Sequence, residues 1–203
     1  MSEADRISIA NKACLGGGVN TITSFNDGSA EATFLREWYE ITVESELSLY
    51  KWRFATKTVN LKSSLLNITP DTVYNTAYQA PNDVLSVDTV LVGESPINYD
   101  RYQDQIHTKD TSADEVIIKY RYRADETLWN PYFRMLIIYR LATMLAFSIA
   151  RKSDVAESME KLAEVHWRRS KTEDAQAQTN QKVRLNKLSL ARGGTVRRFW
   201  RDR

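Results

Sequence analysis

The chain has 203 residues, 42% of them hydrophobic, with 28 Lys+Arg against 26 Asp+Glu. That is enough chain to bury one core, the composition is not that of a disordered polymer, and no apolar run approaches the roughly 18 residues of a membrane helix, since Met135–Ala150 is broken by Arg140. One cysteine, Cys14, excludes an internal disulfide framework and a multi-cysteine zinc site; the acidic start Met1-Ser2-Glu3-Ala4-Asp5 lacks the basic and apolar regions of a signal peptide, so the expectation is a protein made in a reducing cytosol.

Ser2 and Asp5 have the spacing of a capping box for a first helix, with Ile9, Ala10, Ala13 and Cys14 as its apolar face. Gly16-Gly17-Gly18 reads as the stop and turn after it. It does not read as a phosphate loop, because no strand precedes it and no Lys-Ser/Thr follows. Asn26-Asp27-Gly28-Ser29 is a turn that ends in a helix cap, and a second helix is expected from about Ala30 to Tyr50 on the spacing of Phe34, Leu35, Trp38, Ile41 and Thr42. Strands are expected over Thr56–Leu61, Val73–Tyr78, Val84–Val92 and Val116–Tyr122, the last two pairing in one small antiparallel sheet. The polar stretch Gly93–Ala113 between them reads as a loop with a short hairpin.

Asn130-Pro131 is a cap followed by proline at the first helical position. The helix it opens, to about Ala150, is apolar most of the way round, which marks a central buried helix. Ser153-Asp154 reads as the cap of a fourth helix, whose face is Val155, Met159, Leu162, Ala163 and His166. From Arg168 to Lys182 the apolar stripe fades, as in a solvated helix end or a linker. The fold class expected is α+β and mainly helical: a bundle of about four helices, a small antiparallel β part at about residues 54–123, and an extended C-terminal arm. The division is a body over residues 1–182 and an arm over 183–203.

The charge is unevenly placed. From Lys182 onward eight basic residues are opposed only by Asp202, giving +7, so residues 1–181 carry −5. Leu188, Leu190, Phe199 and Trp200 stand among Arg192, Arg197, Arg198, Arg201 and Arg203. A basic segment with bulky apolar residues suits docking on an acidic partner better than solubility alone.

No catalytic constellation is legible. His107 and His166 lack His or Cys at metal spacing, Cys14 sits on an apolar helix face without a base, and the Glu44/Glu46 pair falls where a solvated helix face is expected. No metal or cofactor is expected. Trp38, Trp52 and Trp129 read as core or subunit-interface packing.

Three stretches in order carry a resemblance. The first is Ile9-Ala10-Asn11-Lys12-Ala13-Cys14-Leu15-Gly16, then Ile22-Thr23-Ser24-Phe25-Asn26-Asp27-Gly28-Ser29, Trp38-Tyr39 and Trp52-Arg53-Phe54-Ala55. The second is Tyr74–Val90 with Tyr78-Gln79-Ala80-Pro81-Asn82-Asp83-Val84-Leu85, and the third is Ile117–Ala150 with Leu128-Trp129-Asn130-Pro131-Tyr132-Phe133. With Leu188-Ser189-Leu190-Ala191-Arg192-Gly193-Gly194 near the end, the succession resembles the tail adaptors of tailed bacteriophages, the head-to-tail connector or tail tubular protein A-like family. Ala80 stands where that family has Leu and Val84 where it has Cys; the triple glycine and Thr195–Arg203 also depart from its pattern.

The resemblance implies a structural virion protein of the phage neck, made in the bacterial cytoplasm, with neither enzymatic activity nor a membrane. Its partners would be copies of itself in a ring, usually dodecameric, the portal protein above, and the tail nozzle or tube below. Tail fibres are a further candidate, and DNA passes through the channel. The arm residues Leu188, Leu190, Arg192, Arg197, Arg198, Phe199, Trp200, Arg201 and Arg203 would dock on the portal. Two alternatives stay open: a head-completion stopper or tail terminator ring, and a nucleic-acid-binding protein acting through its basic tail.

Overall fold

Apolar spacing and caps set the helices of the computed structural model, which describes residues 3–61, 65–66, 73–109 and 116–176. Helix α1 spans Glu3–Gly17 and buries Ile9, Ala10, Ala13 and Cys14, the face expected from sequence. Helix α2 (Ala30–Leu49) starts where the Ser29 hydroxyl accepts the Ala32 N–H at 3.1 Å. Asp27 steadies that turn by accepting from the Ser29 hydroxyl at 2.6 Å and from the N–H groups of Ser29 and Thr23. These hydrogen bonds favour the ionised carboxylate and hold it at about 2. Helix α3 (Pro131–Ser148) is capped by Asn130, whose side chain accepts from the Phe133 N–H at 2.7 Å. Helix α4 runs Ser153–Gln176. Ser153 and Asp154 lie inside its first turn and do not precede it. Ser2 and the arm residues 183–203 fall outside the described residues.

The triple glycine has two jobs, only one of which was expected. Gly18, at φ +72°, ends α1, and the Val19 N–H then reaches the Cys14 carbonyl at 3.0 Å. Gly16 and Gly17 are still helical and form the contact with α3. A Cβ on Gly17 would stand 3.0 Å from the Ala142 carbonyl oxygen and 3.1 Å from Leu145 Cβ. Backbone cannot yield as a side-chain tip can, so Gly17→Ala is expected to cost about 2 kcal/mol by pushing the helices apart. A thermal melt reads this directly, and an unchanged midpoint would contradict it.

Helix α3 is the centre of the bundle. Phe133, Leu136, Ile137, Leu141, Ala142 and Leu145 are buried against α1, α2 and α4. Trp52 and Trp129 close the same core, donating their indole N–H groups to the carbonyls of Glu46 and Ala124. Beside it, buried Glu126 holds Arg123, and Glu40 takes both Arg123 and Arg6, tying α1 and α2 to the chain entering α3.

Among the described residues the β part contains eight strands: β1 Thr56–Asn60, β2 Leu65–Leu66, β3 Thr76–Gln79, β4 Val84–Val92, β5 Ser95–Ile97, β6 Tyr99–Tyr102, β7 Gln105–Thr108 and β8 Val116–Tyr122. One antiparallel sheet has the order β1-β8-β4-β5; the other joins β3, β7 and β6, with two-residue β2 at its edge. Residues of both sheets, including Tyr78, Ile106, Val90, Ile118 and Tyr120, share a second core. The single sheet expected from sequence is therefore two; in the stretch Gly93–Ala113, expected as a loop with a short hairpin, the hairpin is present as β6–β7, and β5 adds a strand among its described residues. Its residues are polar on the outside, but Ile106 and Thr108 point inward, and backbone pairing with β3 supplies the rest. A tight hairpin joins β6 to β7, with Gln103 at φ +55°.

Helix α4 differs from expectation in two ways. Leu162, expected on the packed face, is 39% exposed; the residues that face α3 are Ala156, Met159 and Ala163. Up to Gln176 the polar end is helix, not linker, with Arg168, Arg169, Thr172, Ala175 and Gln176 exposed, but it is not solvated all round. Ser170 and Asp174 are buried, and the Asp174 carboxylate accepts the Arg53 N–H at 3.1 Å. Burial raises that carboxyl above its ordinary value.

Candidate functional site

An apolar groove opens along the seam between α2 and α3. The two helices run antiparallel there, as Thr42 meets Met144 and Glu46 meets Arg140. Phe34, Trp38, Thr143, Met144, Phe147 and Ser148 line a space of about 300 Å³. Phe34 and Trp38, one helical turn apart, stack with ring centres 6.1 Å apart. Trp38 is 44% exposed and Phe147 69%, and Ile41 continues the stripe at 59%. Large aromatics left in water beside a well-closed core mark a contact surface more than they mark a packing fault.

The same seam turns ionic one helical turn away. Arg140 lies on the α3 face that carries Met144 and Phe147. Its guanidinium holds Glu46 of α2 at 2.8 Å, Glu164 of α4 at 2.8 Å, and also Glu160 of α4. Three carboxyl groups thus share one cation. Glu46 is almost fully buried, which corrects the expectation of a solvated face, and its Oε2 has no hydrogen-bond partner among the described residues. Burial raises its pKa, with Arg140 acting in the opposite direction. Sequence reasoning missed this cluster because it placed Glu46 with Glu44 on a solvated face, although Glu46 lies one helical turn past buried Thr42. Arg140 inside an apolar helix was the available signal.

Cys14, His107 and His166 lie on three separate elements, α1, β7 and α4. Cys14 is buried in the bundle, where burial pushes its thiol up to about 11. His107 lies on β7, not in a loop; it is buried, and its ring sits edge-on to Tyr102. His166 lies against Tyr132 and Tyr139, and burial lowers its pKa. Among the described residues no group of three or more His, Cys, Asp or Glu side chains could hold a metal ion, and no helix is long and apolar enough to cross a membrane. Of the three tryptophans, Trp52 and Trp129 are core and Trp38 is at the surface. The arm residues from Leu188 to Arg203 lie outside the described residues.

Comparison of the chain with protein-family models and with curated protein sequences finds no match.

Proposed function

We propose that the chain is a structural virion protein, a tail adaptor that closes into a ring beneath the phage portal and joins it to the next tail component around the DNA channel. The ordered motifs quoted above motivate the family. The observation that carries self-association is the exposed Phe34–Trp38–Phe147 groove on a body whose core is otherwise closed. A ring needs two unlike faces on each copy, one complementing the other. A second apolar strip is available: Leu162 and Val165, 39% and 42% exposed, lie one turn apart on the outer side of α4. In this reading α4 of one copy seats against the α2–α3 groove of the next.

The arm, residues 183–203, then reaches the portal. Leu188, Leu190, Phe199 and Trp200 fill apolar pockets, and the five arginines from Arg192 to Arg203 pair with portal carboxylates. Arms held in a ring bind at high effective concentration once the first has docked. Trp200→Ala is expected to cost about 2 kcal/mol per arm in portal affinity, whereas single arginine changes cost less and depend on salt.

The groove is tested with Phe147→Glu and, on the opposite face, Leu162→Glu. Each is expected to weaken self-association about 30-fold, equivalent to about 2 kcal/mol, without lowering the melting temperature, because both side chains are exposed. Sedimentation over a rising concentration series measures it. Association equal to the parent's in both variants would remove the groove from the ring contact.

A further inference from the structure

The body carries −5, yet one pocket on it is built from cations. It lies where α2 ends, β1 begins and the last turns of α4 pass alongside. Tyr50, Lys51, Arg53, Thr56, Thr58, Lys119, Asp174 and Ala175 line a space of about 630 Å³. Three of these are basic and one is acidic. Lys119 and Thr58 are register partners on β8 and β1, and Thr56 shares their face by the two-residue alternation of the strand.

The cations here are poorly neutralised. Lys119 is partly buried and has no ion pair or hydrogen bond among the described residues. Lys51 comes no nearer than 3.6 Å to Asp88, a carboxylate already held by Arg121 at 3.1 Å. The Arg53 guanidinium is 3.9 Å from Asp174, whose carboxylate accepts the Arg53 backbone N–H. Lys171 adds a further positive charge at the rim, over the Tyr50 ring at 5.1 Å. The Thr56 hydroxyl is committed to the Trp52 carbonyl at 2.6 Å, but Thr58 is exposed. Ammonium and guanidinium groups converging with a hydroxyl are the donor set for a phosphate oxygen.

We propose that this pocket binds the phosphodiester backbone of nucleic acid, holding one phosphate between Lys51, Arg53 and Lys119. A polymer suits it better than a free anion because of what lies next to it. Ala175 lines the pocket, and the chain continues from there into the arm, which carries +7 from Lys182 onward. Pocket and arm both carry net positive charge and so share an attraction for one long polyanion. Binding is indifferent to base sequence, since the only ring lining the pocket among the described residues, Tyr50, has Lys171 over it. This inference does not rest on the ring or on the portal joint.

The test is fluorescence anisotropy of a short labelled DNA duplex of mixed sequence, titrated with the full-length protein over a salt series. The double variant Lys51→Gln/Lys119→Gln is compared with an arm variant, Arg197→Gln/Arg198→Gln. Loss of two of the three cations on that phosphate should weaken binding about tenfold at moderate salt and lower the slope of log affinity on log salt by about 1. The arm variant should weaken binding separately. If Lys119→Gln does not fold, Lys51→Gln alone, at a half-exposed side chain, should lower affinity and slope by a smaller amount. Parent affinity and slope in the pocket variants would overturn the proposal. So would absence of DNA binding at low salt, or displacement by inorganic phosphate beyond the effect of matched ionic strength, which would mark a small-anion site.

Discussion

Trp52→Ala is expected to lower the stability of the folded chain by about 4 kcal/mol. Trp52 is fully buried, and its ring meets Tyr50 at 4.8 Å and Phe133 at 5.0 Å between centres, both edge-on. Truncation removes that aromatic packing and leaves a cavity where α2, α3 and the start of β1 join. It also strands the Glu46 carbonyl, which now accepts the indole N–H at 2.9 Å. Trp52→Phe keeps most of the volume and loses the donor, so its cost should be nearer 1–2 kcal/mol. Denaturant unfolding of the two variants separates packing from hydrogen bonding. Equal costs would show that the hydrogen bond, and not the ring, matters.

Arg140→Met should cost about 3 kcal/mol near neutral pH. Three carboxylates then face one another without their shared cation, and one of them, Glu46, is buried. The pH dependence has a definite sign. Burial already raises Glu46, so its favourable contribution is complete below the ordinary carboxyl range and is lost as pH rises through the folded value. Arg140 opposes that rise; without it the folded value moves higher still. The gap between parent and variant should therefore be small in acid and widen toward neutrality. Adding Glu46→Leu to Arg140→Met should recover most of the loss, because an apolar pair in that seam carries no desolvation cost. A gap that is constant with pH, or a double variant no better than the single, would contradict the charge argument.

Much of the helical fold can be read from local chemistry. Ser29 and Asn130 are caps with the right apolar spacing behind them, and both act as such. Strands β4 and β8 alternate clearly and pair as expected. What was not legible depends on neighbours distant in sequence. Gly16 and Gly17 look like a turn until α3 is placed against them. Strands β6 and β7 lack an apolar alternation of their own; β7 pairs with β3, and β6 in turn pairs with β7. Glu46 looks solvated unless one knows that Arg140 lies opposite. Asp174 looks like part of a fading helix unless one knows that the Arg53 N–H needs an acceptor.

The candidate interface was legible only in part. Trp38 could be assigned to core or to a subunit contact, but not to one of them, since periodicity places it at the edge of the buried face. Phe147 was hidden within an apolar helix that reads as buried all round, yet it is 69% exposed beside Phe34 and Trp38.

The adaptor reading is tested most directly by sedimenting the protein with the purified portal of the same particle, at full length and as a version ending at Lys182. The account predicts that only the full-length protein travels with the portal, as a ring, and still does so at moderate salt. Failure of both versions to co-sediment at low salt would contradict it and point to a stopper or terminator further down the tail.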